Sequence, residues 1–468
     1  MTNDGVHGGG SGEQTLVILG AAGDLAGRLL LPGLGALVAA GGAPKLTLVG
    51  AGMDDWDDER WRKRVVEAFG AHRGKDASGG KGERAVADVV GGTRYVRADV
   101  TRADELRRVL DGVGGEVVVF FALPPAITGK ACEALLDVEL PEGTRLVLEK
   151  PFGSGVRSAA ALNRVLTRLV PEERIHRVDH FLGKSTVLNI VGLRFANRIF
   201  EPLLSAEHVA SVDVVFDEEL ALEGRAGYYD KAGALADMIQ SHLLQILALL
   251  AMEAPLSMDP REFRDAVAEV LRATRVWGGD PKASSLRARY ADGAQHCAYT
   301  KEPGVDPERG TETLAELVLA VDTWRWAGVP FRLRSGKAVG GGRQEAIITF
   351  KEPPRIPGGL HGPHQPDRLR IGFGPDRVAL DFNINGPGDP FVIDPVTLAA
   401  DFGPGELPPY GEVLHGVLHD DPTLSVRGDV AEECWRIVEP VTAAWRAGEV
   451  PLLEYPAGSA GPEESLLS

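Results

Sequence analysis

The sequence predicts two folded regions of different class: an α/β region, then an α+β region with a large, mainly antiparallel sheet and helices on one face. Three observations support this division. A short apolar strand near the start runs into a glycine turn and a helix, buried strands then alternate with helices to about residue 172, and the second half carries strand-like runs with few helices between the later ones. At 468 residues the chain also exceeds one ordinary core.

The first region opens in the order of a doubly wound parallel sheet. Residues 15–19 and 46–49 have the composition of buried strands, and residues 25–40 between them have the apolar spacing of a helix. We predict further buried strands at 117–122 and 146–148. This order is typical of a Rossmann-like dinucleotide-binding domain. The charged, glycine-rich stretch 75–92 is predicted to be a loop.

In the second region, several runs alternate between apolar and polar residues and are predicted as strands. They lie at residues 211–216, 345–350, 368–373 and 377–382. We therefore predict four segments along the chain: a disordered tail at 1–12, a dinucleotide-binding domain at 13–175, an α+β domain at 176–456, and a second tail at 457–468. That the domain at 176–456 serves substrate binding and oligomerisation is implied by the family resemblance given below.

The composition restricts the classes of function. Acidic residues outnumber basic ones, 67 to 50, and the formal charge of -17 opposes a broad surface for nucleic acid or anionic membrane. The three cysteines are far apart, which fits a reducing compartment. The N-terminus has no signal-peptide pattern, and the longest apolar run, 243–252, is too short to span a bilayer. We expect a cytoplasmic protein that binds neither nucleic acid nor membrane.

The turn GAAGDLAG at residues 20–27 is the first candidate site. Glycines there would let the backbone approach a pyrophosphate, and the following helix offers N–H groups at its positive end. The alternative is a plain tight turn, although the strand and helix around it favour a cofactor site. The cofactor-discriminating position after the second strand reads Met53-Asp54-Asp55, which favours NAD, but Arg60, Arg62 and Arg64 follow and could bind the extra phosphate of NADP.

Other candidate residues come at the ends of predicted strands or within an apolar helix. Pro124 and Lys150 follow two strands of the first region, where open α/β sheets bind ligands. Lys150 could equally be a solvated lysine. His242 lies in a helix that is apolar nearly all round, where the alternative to a catalytic role is a core histidine bonded to a backbone carbonyl. His415 and His419 share a helix face, but without further ligands we expect no metal site.

The stretch RVDHFLGK at 177–184 combines cations, a carboxylate and an imidazole, which suits an anion held beside a proton-transfer group. With this stretch the chain resembles the glucose-6-phosphate dehydrogenase family from about Thr15 to Pro462. The resemblance rests on the order of GAAGDLA, FFALPP, LEKPFG, RVDHFLGK, EGRAGYYD followed by SHLLQILALLAME, TETLAELVLAVDTWRWAGVPFRLRSGK, and SVRGDVAEECWRIVEPV.

The resemblance implies an enzyme of the pentose phosphate pathway, and so of glucose metabolism, that oxidises glucose 6-phosphate to 6-phosphogluconolactone with NADP or NAD, without a metal, as a homodimer or homotetramer. It implies that His242 is the general base and Asp179 its carboxylate partner. His180 and Lys184 would bind the sugar phosphate. The other implied contacts are Glu218, Asp237 and Lys337 with sugar hydroxyls, Lys150 between sugar and nicotinamide, and Gly20, Ala22, Gly23, Asp24, Leu25 and Pro124 with the cofactor.

Several residues differ from those usual in the family. Phe181 replaces a tyrosine, Ser185 a glutamate, Met53 an arginine and Ser241 an asparagine, and Leu29 stands where the first helix usually has a basic residue. These differences lie mainly at the expected phosphate and cofactor contacts. They leave two other hypotheses open: a divergent paralogue that oxidises another sugar or sugar phosphate, and a nucleotide-binding regulatory protein without turnover.

Overall fold

The computed structural model describes residues 12–70, 80–222, 224, 226–294, 296–403 and 405–466. Residues 1–11 of the predicted tail and residues 75–79 of the predicted loop at 75–92 therefore lie outside the described residues, as do Glu223 and Arg225 of the EGRAGYYD motif.

Up to residue 184, strands and helices alternate. In chain order they are β1 (Gln14–Leu19), a π-helical turn (Ala26–Leu30) that continues into α1 (Leu31–Ala39), β2 (Leu46–Gly52), α2 (Asp58–Gly70), α3 (Gly80–Gly92), β3 (Arg94–Arg97), α4 (Ala103–Leu110), β4 (Glu116–Phe121), α5 (Pro125–Leu135), β5 (Arg145–Glu149), α6 (Val156–Leu169) and β6 (Ile175–Val178).

After residue 184, strands predominate. The elements are α7 (Ser185–Phe195), β7 (Val209–Asp217), α8 (Ala226–Ala234), a π-helical stretch (Leu235–Leu243), α9 (Leu244–Ala251), α10 (Pro260–Ala273), β8 (Thr274–Val276), β9 (Ser285–Ala291), β10 (Leu314–Val321), β11 (Pro330–Gly336), β12 (Gln344–Phe350), β13 (Arg368–Phe373), β14 (Asp376–Asn385), β15 (Ile393–Asp401), α11 (Pro409–Leu418), α12 (Gly428–Arg446) and β16 (Leu452–Pro456).

The chain forms two compact units, each built from several stretches of sequence. The first unit contains residues 1–184, 256–264 and 405–432, and the second contains 185–255, 265–404 and 433–468. The domain limits expected from the sequence, 13–175 and 176–456, stay a prediction about folding units. Residues 405–432 belong to the first unit although they come late in the chain, and the sequence pattern did not indicate this.

The first unit contains a parallel sheet of six strands in the order β3-β2-β1-β4-β5-β6, which confirms the predicted α/β class. The central strand β1 is buried along its whole length, as expected for a strand covered on both faces. Its neighbours β2 and β4 lie on either side, so the strand order reverses at β1. In such sheets, ligands bind at the carboxyl ends of the strands near this reversal.

The predicted loop at 75–92 is wrong for its described part, because residues 80–92 form α3. Val89 is buried, and Ala85, Val86 and Val90 pack against the core of the first unit. This i, i+3, i+4 spacing is the apolar face of a helix. Packing of that face therefore outweighs the low helix propensity of the glycines around it.

Helix α11 completes the core of the first unit. Its side chains Tyr410, Val413 and Leu414 belong to the same apolar cluster as β1 and α1. The approach to α1 is close, since a Cβ atom on Gly33 would lie 2.8 Å from the Cβ of Tyr410. Glycine at position 33 therefore permits the contact between these two helices.

The second unit contains a sheet of ten strands, mostly antiparallel, with β7 parallel to β11 and β9 parallel to β16. This arrangement confirms the predicted mainly antiparallel sheet of the α+β region. The predicted tail from 457 is attached to this unit where it is described. Arg334 donates to the carbonyl of Ala460, and Glu316 accepts hydrogen bonds from Ser465 and Leu466.

Among the described residues, one helix, Tyr229–Ala251, is long and apolar enough to cross a membrane by length and composition. However, 83% of its most apolar window is buried inside the protein. It therefore has the character of a buried core helix.

Candidate active site

The glycine turn follows β1 at the point where the strand order reverses. Gly20 has a φ of +84°, and a Cβ there would lie 2.4 Å from the carbonyl oxygen of Ala122, so the turn requires glycine at this position. Gly23 and Asp24 are exposed at the start of the helix, while Ala22 and Leu25 are partly buried. The turn therefore presents backbone to solvent at a helix N-terminus, which fits the diphosphate of a dinucleotide.

Two other predicted cofactor residues follow neighbouring strands of the same sheet. Pro124 lies at the start of α5, just after β4, and Lys150 comes directly after β5. Because β4 is parallel to β1 and β5 is parallel to β4, the carboxyl ends of both strands meet the same edge of the sheet as the glycine turn. The structure thus places Pro124, Lys150 and the turn along one edge.

The acidic residues after β2 are already engaged with neighbours. Asp55 forms an ion pair with Arg97 at 2.7 Å. Asp54 lies near Tyr95, whose pKa is raised to about 12, chiefly by burial and then by the negative charge of Asp54. Met53 is 70% exposed. An acid bound to an arginine is less suited to a ribose hydroxyl, so this region does not favour NAD as strongly as its sequence suggests.

The turn 179–184 carries the predicted phosphate-binding residues of the first unit. Consecutive backbone hydrogen bonds from Leu182, Gly183 and Lys184 to the three residues from Asp179 close it. Asp179 is 2% exposed, and its Oδ1 accepts from the N–H of Phe181 at 2.9 Å. The Lys184 ammonium lies 4.2 Å from the centre of the Phe181 ring, a cation–π contact. Phe181 therefore supports Lys184, although it offers no hydroxyl to a ligand.

Tyr410 of α11 is a site residue that the sequence analysis missed. The ring of His180 stacks on the ring of Tyr410, with centroids 5.9 Å apart and planes at 15°. Tyr410 also hydrogen-bonds Glu149, whose pKa burial raises to about 8, while this bond and Lys150 act in the opposite direction. Tyr410 thus joins the turn 179–184 to the end of β5. No local pattern pointed to it, since it lies in a proline-rich stretch far along the chain.

Arg177, the first cation of RVDHFLGK, is a buried residue with a structural role. It is fully buried and donates to the carboxylate of Glu172 at 2.7 Å and to Asn163 at 2.8 Å. A buried guanidinium that is paired in this way holds β6 against α6. Arg177 therefore orders the strand from which the turn 179–184 emerges.

In the second unit, Asp237 and His242 lie on the π-helical stretch 235–243 that follows the break at Gly233. Glu312 caps the start of this stretch by accepting from the N–H of Leu235 at 3.0 Å. Burial raises the pKa of Glu312 to about 7. His242 is 1% exposed. Single π-helical turns often occur at functional sites, because they shift the direction of side chains relative to an α-helix.

Glu218 and Lys337 come together because they follow parallel neighbouring strands. The register pairs Asp217 at the end of β7 with Gly336 at the end of β11, so the next residues, Glu218 and Lys337, emerge side by side. Lys337 Nζ lies 2.5 Å from Glu218 Oε2 and 5.2 Å from the centre of the Tyr229 ring. The pKa of Tyr229 is raised well above its usual value by burial and then by Asp237. These four side chains form a polar cluster of donors and acceptors.

A buried network lies behind this cluster. Arg334, three residues before Lys337 on the same chain segment, pairs with Asp217 at 3.0 Å and with Glu316 at 3.1 Å. All three side chains are at most 5% exposed. Because the charges are mutually satisfied, the network fixes the ends of β7 and β11 and therefore the positions of Glu218 and Lys337.

Comparison with known proteins gives a consistent result over nearly the whole chain. Residues 17–189 match the family described as glucose-6-phosphate dehydrogenase, NAD binding domain, and residues 191–467 match glucose-6-phosphate dehydrogenase, C-terminal domain. The chain is 35% identical to the glucose-6-phosphate 1-dehydrogenase of Rhizobium meliloti (strain 1021) over 96% of this chain and 94% of that protein. It is 37% identical to the enzyme of the same name from Gluconobacter oxydans (strain 621H), with 96% and 94% covered.

Solved structures agree with the sequence comparisons. A glucose-6-phosphate dehydrogenase in complex with its substrate glucose-6-phosphate superposes with a TM-score of 0.86 at 27% identity, covering 96% of each chain. A glucose-6-phosphate 1-dehydrogenase from Mycobacterium avium has a TM-score of 0.84 at 31% identity, covering 96% of this chain and 95% of that one.

Proposed function

Because the chain belongs to the glucose-6-phosphate dehydrogenase family, we propose that it oxidises glucose 6-phosphate to 6-phosphogluconolactone and passes the hydride to a nicotinamide dinucleotide. This reaction places it in the pentose phosphate pathway. The observation that carries the proposal is the likeness of 96% of the chain to a glucose-6-phosphate dehydrogenase solved with its substrate glucose-6-phosphate.

His242 is the proposed general base. It accepts the proton of the hydroxyl on the anomeric carbon, while the bound nicotinamide supplies the hydride acceptor. An imidazole titrates near neutral pH, so it can take this proton under physiological conditions. Asp179 is proposed, from its motif, as the carboxylate that keeps His242 in the accepting tautomer. The step needs a base and a hydride acceptor, so the proposal includes no metal ion.

Substrate binding divides between two kinds of group. His180 and Lys184 are proposed to bind the phosphate, because imidazolium and ammonium groups donate to phosphate oxygens. Glu218, Asp237 and Lys337 are proposed to bind the sugar hydroxyls, and the observed pairing of Lys337 with Glu218 supplies a donor beside an acceptor. Lys150 is proposed to contact sugar and nicotinamide together.

The cofactor is proposed to bind along the edge that carries Gly20, Ala22, Gly23, Asp24, Leu25 and Pro124. The positive φ of Gly20 and the exposure of Gly23 support this placement. We also place the protein in the cytoplasm, where its three free cysteines would stay reduced.

We propose that the protein is a homodimer or homotetramer assembled through the hairpin β14–β15. This hairpin is the edge of the ten-stranded sheet, and it exposes Ile384, Phe391, Leu398 and Phe402, each 45% to 63% exposed. A long edge strand with apolar side chains is a surface that soluble proteins normally cover. Light scattering of the native chain and of Leu398→Glu should show an oligomer and a smaller species, respectively; a native monomer would contradict the proposal.

The first test of function is the absorbance of reduced nicotinamide, with glucose 6-phosphate and glucose each crossed with NADP and NAD. We expect rapid reduction that depends on the sugar phosphate. Equal rates with glucose and glucose 6-phosphate would indicate a paralogue with another substrate, which the missing hydroxyl at Phe181 would help to explain. Dinucleotide binding without reduction in any combination would support a regulatory protein.

A further inference from the structure

The side chain of Arg64 reaches from α2 to the first turn of the helix after the glycine turn. Its Nη2 donates to the backbone carbonyl of Gly23 at 3.3 Å. A Cβ atom on Gly27 would lie 1.9 Å from the same Nη2 and 2.4 Å from Cζ. The guanidinium therefore occupies the space that any side chain at position 27 would fill.

The other two arginines of α2 point elsewhere. The Arg60 guanidinium lies over the ring of Trp56, 4.8 Å from its centre, and Arg62 Nε donates to the carbonyl of Val90 at 3.2 Å. Of the three arginines that follow the second strand, Arg64 is the one that the structure places at the cofactor turn.

Most of the N–H donors of Arg64 have no hydrogen-bond partner among the described residues. A guanidinium has five N–H donors, and here one of them makes a single long bond to Gly23. The Nε of Arg64 is buried and has no hydrogen-bond partner among the described residues. An anion with several oxygens would satisfy such a group better than one carbonyl does.

A carboxylate in the glycine turn and one after β2 are each paired with an arginine. Asp55 is paired with Arg97 at 2.7 Å, and Asp24 with Arg28 at 3.4 Å. Each pairing reduces the repulsion that these carboxylates would exert on a nearby phosphate. Met53 leaves the position directly after β2 without a charge.

We propose that Arg64 binds the 2′-phosphate of NADP and makes this chain prefer NADP to NAD. The proposal rests on the proposed function only in that the cofactor lies along the glycine turn. In doubly wound domains the 2′-phosphate is bound by an arginine near the position after the second strand, where an acid would otherwise bind the ribose hydroxyl. Arg64 approaches this place from α2 through the gap at Gly27, and it substitutes for a cation at position 53.

Binding of adenosine 2′,5′-bisphosphate and of 5′-AMP, measured by calorimetry, tests the proposal without turnover. In the native chain the bisphosphate should bind more tightly. Arg64→Gln should weaken its binding about 10- to 100-fold, the size of a lost charge-assisted hydrogen bond, and leave 5′-AMP unchanged. Gly27→Ala should act in the same direction, because its Cβ displaces the guanidinium while alanine favours the helix.

Arg62→Gln is the matched control, since it removes an arginine of the same helix that contacts Val90; it should change neither affinity. Equal weakening of both ligands by Arg64→Gln would assign the arginine to the 5′-phosphate and overturn the proposal. Unchanged affinities, or a native chain that binds both ligands equally, would also overturn it. Thermal unfolding of each variant identifies any loss of fold. A chain that binds as expected but does not oxidise glucose 6-phosphate would contradict the proposed function alone.

Discussion

The two units hold their cationic site residues in different ways. In the first unit, Lys184 lies over the ring of Phe181, and His180 stacks on Tyr410. In the second unit, Lys337 is in direct contact with the carboxylate of Glu218. The observed contact of Lys184 is therefore with an aromatic face, whereas that of Lys337 is with a formal negative charge.

This difference matches the two parts of a sugar phosphate. An aromatic face orients a cation by attraction to its ring, and we propose that the Lys184 ammonium, oriented by Phe181, contacts the phosphate. The Lys337–Glu218 pair is nearly neutral and offers donors and acceptors together, which is what hydroxyl groups require. The comparison therefore predicts that substitutions in the two units affect substrates with and without a phosphate differently.

The largest effect should come from His242→Asn, which removes the proposed base from the second unit. We expect kcat to fall about a thousandfold, while the Kd of glucose 6-phosphate changes little, since the residue acts mainly in the transition state. Steady-state kinetics and calorimetry measure the two quantities. Ser241→Ala is the control on the same π-helical stretch, because its hydroxyl bonds the carbonyl of Asp237. An unchanged kcat in His242→Asn would refute the assignment.

Lys337→Met should have the next largest effect. It leaves Glu218 without its cationic partner, and the loss of one member of a close charge pair costs several kcal/mol. We expect kcat/KM to fall about a hundredfold for glucose 6-phosphate and by a similar factor for glucose, because both substrates carry the hydroxyls. A loss confined to the phosphorylated substrate would show that Lys337 serves the phosphate, and the comparison of the two units would then be wrong.

Lys184→Met should have a smaller and more selective effect. The KM for glucose 6-phosphate is expected to rise about 30-fold, since one charge-assisted bond to phosphate is lost. Any activity with free glucose should not change. Steady-state kinetics with both sugars would measure this selectivity, and an equal loss with both would remove the distinction between the two units.

The smallest expected effect is the pH dependence of the stability that Glu149 of the first unit causes. Burial raises the pKa of Glu149 from 4.5, the value of an ordinary glutamate, to about 8. Between pH 4.5 and 8 the carboxyl is therefore protonated in the folded state and ionised in the unfolded state. The free energy of unfolding should therefore decrease as pH rises from about 4.5 to 8. The slope corresponds to the release of at most about one proton on unfolding. Glu149→Gln should flatten this slope in urea midpoints measured from pH 5 to 8.5, and a slope that stays the same would assign the titration elsewhere.

The sequence was sufficient to predict those elements that neighbouring residues specify by their spacing. The run from β1 through the glycine turn to α1 was predicted because spacing and turn residues alone specify it. The emergence of Glu218 and Lys337 side by side depends instead on the pairing of β7 with β11, which lie more than a hundred residues apart. The sequence pattern placed neither strand next to the other, and the family resemblance supplied both residues.

The sequence did not identify site residues whose position depends on contacts between segments far apart in the chain. Tyr410 joins the site only because α11 returns to the first unit and packs on α1 at Gly33. Arg64 reaches the glycine turn only because Gly27 leaves space for it, and nothing in the spacing of α2 separates Arg64 from Arg62. Such contacts depend on tertiary packing, which local periodicity does not encode.

The return of residues 405–432 to the first unit has a consequence for synthesis on the ribosome. Until this segment has emerged, the faces of α1 that Tyr410, Val413 and Leu414 cover stay exposed on the nascent chain. The N-terminal unit therefore cannot complete its fold during translation of its own first 184 residues. A gene fragment that ends at residue 184 should yield an aggregation-prone product, whereas joining 405–432 to it should cover the exposed face of α1 and reduce that aggregation.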